Sequence, residues 1–453
     1  MLRLTWTQPE DLVPHALRAA LLDGVDIDDL ATRWVAAGGT RVAPVSGASP
    51  DPAPPALRAL AREVLSQLDE REAPEALRRA EPDGLEEILT LAPPVDAVPP
   101  PADDLADRVH GAWLGRAAGC LLGKPVEKIP REGIEAIARS TGNWPISRYF
   151  TEIGLDGEVA ARYPWNRRSR PTSLAENIDG MPEDDDLNYP LIALDLLERH
   201  GDAFTTDDVA NSWLSNLPGG RVFTAERIAY RNLLLGHEPE VAGAVGNPFR
   251  DWIGAQIRTD VYGWAHPGAP ITAARLAWTD ARLSHGRNGV YGAMFAAAAC
   301  SAAVTADDVR TVIETGLSVV PAASRFTGAI RMGAELGATA MSTADALDAI
   351  HARYGELHWV HVLNNAAVLA FALVRGAGNY STTITTAVTG GWDTDSTAAT
   401  AGSLVGALTG AKALPAQWTD PLRNRLATSV PGFDGIGFDT LATRTLALTG
   451  RAP

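Results

Sequence analysis

Apolar residues recur along this chain at the spacing of helices, and the pattern hardly relaxes from residue 103 onward. Leu105–Leu122, Leu187–His200, Gly289–Val304 and Asp307–Leu317 are amphipathic or wholly apolar and rich in Ala, a strong helix former. Upstream, Leu57, Leu60, Val64 and Leu68 mark one face of a helix over Pro55 to Leu68. No segment sustains the two-residue alternation of a half-buried strand, so the pattern predicts an all-α fold. Two Pro-rich stretches, Pro44 to Pro55 and Ala92 to Pro101, punctuate the first quarter. Proline lacks a donor and stiffens the backbone, which marks both as linkers or loops. The expected organisation is a small helical appendage over residues 1–100 and a main domain over 103–453. Within that domain Thr141 to Pro182, crowded with Gly, Pro, Arg and aromatics, reads as a long loop of the kind often used for function.

Composition narrows the classes. With 453 residues and 46% hydrophobic content the chain can fill a sizeable core. A formal charge of −16 argues against nucleic acid as a partner, since phosphate neutralisation needs basic clusters. Cys120 and Cys300 form no CxxC and read as buried, reduced thiols. Neither the first residues nor the Ala-rich run Val290 to Val304 matches a signal peptide or a bilayer span. A cytoplasmic, membrane-free protein is expected.

The chemistry sits in the acids. Asp28-Asp29, Asp207-Asp208 and Asp307-Asp308 each precede a helix and read as N-caps. Glu183-Asp184-Asp185-Asp186 holds more acids than a cap requires, and such groups repel unless a cation neutralises them. In Gly390-Gly391-Trp392-Asp393-Thr394-Asp395-Ser396, two aspartates can converge only in an irregular turn, for which the glycines give freedom. Carboxylates and a hydroxyl suit Mg²⁺, Mn²⁺ or Ca²⁺ rather than zinc. Two such clusters meeting at one end of a bundle could hold a pair of ions. Gly286, Gly289 and Gly292 fit either a small-residue helix face or a turn that cradles a diphosphate. His358 and His361 read as a packed pair in preference to metal ligands. Gly123-Lys124-Pro125 is no phosphate-binding loop, and GxSxG and GxGxxG motifs are absent.

Taken together, Gly115–Glu127, Asp184-Asp185-Asp186-Leu187 and Gly390–Ser396 resemble, in order, three blocks of the ADP-ribosylglycohydrolases. The resemblance implies a compact multi-helix bundle with a dinuclear metal cleft. It implies two Mg²⁺ (or Mn²⁺) ions held by Asp184, Asp185, Asp186, Asp393, Asp395 and Ser396. It further implies Glu127 or Asp186 as the catalytic acid or base, and a diphosphate held by Ser284, His285, Gly286, Asn288 and Gly289. The implied activity is glycosidic cleavage of an ADP-ribosylated protein or a small ADP-ribosyl conjugate, releasing ADP-ribose. Two alternatives stand beside it: a non-catalytic binding or structural member of the family, and a metal-dependent hydrolase of phosphates or of another riboside. The sequence departs from the family at Asp184 and Leu187, where Thr is usual, at Cys120, where some members have Asp, and at Ser396 for Thr.

Overall fold

A computed structural model describes residues 3–45, 47–94 and 103–450. Among these residues every regular element is helical, and only three isolated bridges, such as Trp252 with His361, have strand-like pairing. Helices form where the periodicity predicts them: Pro55–Asp69, Leu105–Gly123, Asp185–His200, Arg287–Ala303 and Val309–Leu317. The remainder of the second Pro-rich stretch, 95–102, lies outside the described residues.

The centre of the body is set by a stripe of glycines. Gly111, Gly115, Gly119 and Gly123 recur every four residues, which places them on one face of the Leu105–Gly123 helix. That face lies directly on the backbone of the Thr394–Thr409 helix. A methyl group at Gly115 would fall 2.2 Å from the Gly402 carbonyl oxygen, and one at Gly119 would fall 2.0 Å from that of Ala398. Only residues without a Cβ permit this approach, and it is continuous from Gly406 to Thr394. Around this pair, Arg287–Ala303 is buried along its whole length, and the same small-residue logic seats Arg325–Ala338 on Val362–Gly376 through Gly333.

Charged groups are buried inside this body with their partners. Arg116 donates to Asp260 at 2.7 Å, and Arg258 donates to Asp280 at 2.5 Å and reaches Glu226 at 3.2 Å. Pairing of this kind offsets the desolvation of each ion, and loss of one partner costs about 3–5 kcal/mol.

The described residues of the first hundred pack against the body. Helices Pro9–Leu22 and Pro55–Asp69 lie against each other, with Val64 and Leu68 buried and Leu57 and Leu60 half-buried. Trp6 and His15 meet Phe249, Trp252 and His358 in an aromatic cluster with ring centroids 5.1–6.0 Å apart across the two groups. Asp23 and Glu81 pair with Arg287 and Arg325.

Of the three acidic pairs, Asp307-Asp308 caps as expected and the other two lie in the first turns of their helices. Asp308 is an N-cap, accepting from the Thr311 amide. Asp208 instead completes a capping box with Thr205, and Asp28 and Asp29 lie in a first turn, where Asp29 pairs with Arg71. His358 and His361 do not share a helix face: His358 stacks on Trp252 at 4.3 Å, and His361 caps the Val362–Gly376 helix.

Candidate metal and substrate site

Three segments converge at one end of the glycine-packed pair. Because Gly123 touches the Thr394 backbone, the chain leaving the Leu105–Gly123 helix carries Lys124 and Glu127 past the start of Thr394–Thr409. Thr394 Oγ1 fixes the junction by donating to the Gly123 carbonyl at 2.9 Å. The Asp393–Ser396 segment enters its helix through a turn in which Gly391 (φ +75°) and Trp392 (φ +61°) are both left-handed. The strain at Trp392 is opposed by its stacking on His351, 3.7 Å between centroids, while His351 Nε2 lies 2.8 Å from the Gly390 carbonyl. Asn365 organises the turn from behind: its Oδ1 accepts from the Asp393 amide and from Thr397 Oγ1, each at 3.2 Å. The third segment opens Asp185–His200, with Asp184 as N-cap accepting from the Asp186 amide at 2.9 Å.

These segments line a cleft of about 660 Å³. Glu127, Asp184, Asp185, Asp393, Asp395 and Ser396 face it, together with Glu226, which no local sequence pattern marks. One carboxylate oxygen from each of Glu127, Asp393 and Asp395 lies within 4.8 Å of the others, close enough to share a cation. Asp395 Oδ1 is buried without a hydrogen-bond partner. Burial and the neighbouring carboxylates push the Asp185 and Asp393 carboxyls well up, and burial with Glu127 nearby pushes Asp395 to about 7. Such crowding is relieved by a hard divalent ion, and the all-oxygen donor set fits Mg²⁺ or Mn²⁺.

Asp186 behaves differently. It is buried, does not line the cleft, and points back to Arg116, which approaches Oδ1 at 3.6 Å and donates to the Asp186 carbonyl at 2.7 Å. The long loop does reach the cleft. Asn166 donates to Glu127, and Arg162, Arg167, Arg168 and Ser169 form part of the wall. Arg221 lines it too, paired with Glu183 at 2.9 Å. Acids and guanidinium groups therefore line the same cleft.

Ser284, His285, Gly286, Asn288 and Gly289 do not line this cleft. Ser284 accepts from Arg258, and His285 is buried beside it. At the start of the Arg287–Ala303 helix the donors already have carboxylate partners. The Arg287 amide donates to Asp83 at 2.7 Å, and Asn288 Nδ2 donates to Glu81 at 2.8 Å and to Asp251 at 3.0 Å. The appendage thus supplies anions to a helix N-terminus that would otherwise attract them. A sequence signal existed in Glu81-Pro82-Asp83, two acids flanking a proline between short helices, but nothing in it says which helix they meet.

No curated protein matches the chain. Among solved structures, one described as an "ADP-ribosylglycohydrolase-related protein complex" is similar at 19% identity with a TM-score of 0.44, covering 77% of this chain and all of that one. The family model described as ADP-ribosylglycohydrolase matches residues 101–450, which takes in every segment of the cleft except the appendage residues at its rim, and the chain therefore belongs to the ADP-ribosylglycohydrolase family.

Proposed function

We propose that the chain is a metal-dependent glycohydrolase that cleaves the bond between an ADP-ribosyl group and its acceptor. The observation that carries this is the cleft itself: a partnerless carboxylate oxygen within a convergent acidic trio, in a cleft also lined by arginines. A divalent ion held by Glu127, Asp393 and Asp395 would supply Lewis-acid polarisation near the ribose. Glu127 is the better candidate for proton transfer, because its carboxylate faces the cleft and Asn166 fixes its orientation. Asp186, turned toward Arg116, is better read as a positioning residue for the helix start. Arg167 and Arg168, which have no acidic partner among the described residues, suit the anionic part of the substrate. On this reading the diphosphate binds at the long loop and not at Ser284–Gly289.

The same acids and arginines also suit in-line displacement at phosphorus, so a phosphohydrolase is the second reading. Product identity separates them. Chromatography of a reaction with an ADP-ribosylated peptide is expected to yield free ADP-ribose; AMP and a phosphorylated fragment would establish the second reading instead.

A further inference from the structure

The acidic trio is not the only group of metal-ligating atoms near the cleft. Cys120, Asp184 and Asp186 also bring one ligand atom each within 4.8 Å of the others. Geometry alone would let each group take an ion. Their charges differ.

In the Cys120 group both carboxylates already face fixed cations. The Lys124 ammonium is bonded to Asp184 Oδ2 and lies 3.4 Å from the Glu183 carbonyl. The Lys124 and Asp184 side chains are only 7% and 8% exposed, so this is an interior ion pair and not a surface contact. Asp186 lies against Arg116, with side chains 1% and 0% exposed. Asp184 is thus neutralised by Lys124, Asp186 shares Arg116 with Asp260, and the third member is a thiol, a soft donor poorly suited to a hard ion. A divalent cation entering here would meet a buried ammonium a few ångströms away.

In the Glu127 group three carboxylates face each other. Among the described residues only Lys128 forms an ion pair with one of them, at 3.3 Å from Glu127 and from a side chain 39% exposed, and Asp395 Oδ1, like Asp186 Oδ1 beside Arg116, has no hydrogen-bond partner. Asp185, also facing the cleft, adds to the uncompensated charge.

We propose that this chain binds one divalent cation, among Glu127, Asp393 and Asp395, and that the Lys124 ammonium stands in place of a second, anchored on Asp184. The inference rests on the metal-dependent reading above but not on the reaction. It changes the count of two ions that the family resemblance implies, and it gives the departure at Asp184 a physical role: a carboxylate there holds the lysine. A tethered ammonium stays in place at any metal concentration, so metal loading should follow a single-site curve.

The test uses the full chain stripped of metal and titrated with Mn²⁺, read by native mass spectrometry and by electron paramagnetic resonance. The expected result is one Mn²⁺ per chain with the six-line spectrum of an isolated ion. Lys124→Met keeps the length of the side chain and removes its charge; this variant is expected to take two ions, with a spin-coupled spectrum. Two ions in the wild type would overturn the proposal without a variant being needed. A count of one in a folded Lys124→Met protein would overturn the role given to the lysine. No ion in the wild type would remove the metal reading itself, which is a distinguishable failure.

Discussion

His15 offers a perturbation whose size can be worked from its surroundings. It lies among Trp6, Phe249, Trp252 and His358, and its Nε2 is buried without a partner. Burial holds its pKa down at about 4. An unfolded imidazole titrates near 6.5, so the unfolded state gains a proton first as pH falls. The folded state therefore loses stability from about pH 6.5 down to its own pKa, and none above that window. At pH 5 the difference is about 1.5 pH units of proton uptake, or ~2 kcal/mol at 1.36 kcal/mol per unit. Carboxyls in the cleft titrate in the opposite sense, since their raised values favour the folded state as they protonate. A difference between two proteins cancels them. His15→Phe keeps an aromatic ring in the cluster and removes the proton site. Urea unfolding followed by tryptophan fluorescence should show the gap between variant and wild type moving by about 2 kcal/mol toward the variant between pH 7.5 and 5. A gap that stays flat over that range would refute the reasoning, because it would mean that His15 reaches solvent and titrates normally when folded.

Other expectations follow from the cleft and the helix pair. Asp393→Asn should abolish the rise in melting temperature that Mg²⁺ gives the wild type, and Asp185→Asn, outside the acidic trio, should only reduce it; an undiminished rise would remove that residue from the metal's surroundings. Gly119→Val places a side chain where even a methyl would lie 2.0 Å from the Ala398 carbonyl, and should cost about 3 kcal/mol or more by forcing the two helices apart. Its melting temperature and its Mg²⁺ response should fall together, since the same contact aligns Glu127 with Asp393; a variant that melts lower but responds normally would separate fold from site. Arg168→Ala should raise KM for an ADP-ribosyl substrate by roughly tenfold, at ~1.4 kcal/mol for one charged hydrogen bond, with kcat little changed. A normal KM would move the anion away from the long loop.

Much of the fold was legible because helical periodicity survives in a chain this rich in Ala and Leu, and the two acidic motifs announced themselves by carrying more charge than capping needs. Less legible was what a one-dimensional pattern cannot carry. Nothing in Gly-Lys-Pro says that Lys124 turns inward to Asp184, nor does Arg116, in a helix rich in Ala, Gly and Leu, reveal that it lies behind Asp186. Asn365 and Glu226 reach the site from helices whose own sequence is unremarked, and only the tertiary packing brings them there. The four-residue glycine stripe was in principle visible, since Gly111, Gly115, Gly119 and Gly123 match Gly402 and Gly406 in a second helix, but its meaning requires knowing that the two helices touch. For Ser284–Gly289 the local pattern suits an anion, and the anion present is the protein's own Glu81 and Asp83.

The most direct test of the central claim is release of free ADP-ribose from ADP-ribosylated arginine and serine peptides, with Mg²⁺ or EDTA and with Asp393→Asn alongside. The account predicts release that needs Mg²⁺, stops with EDTA and is lost in the variant. Release that continues in EDTA, or in Asp393→Asn at the wild-type rate, would contradict it.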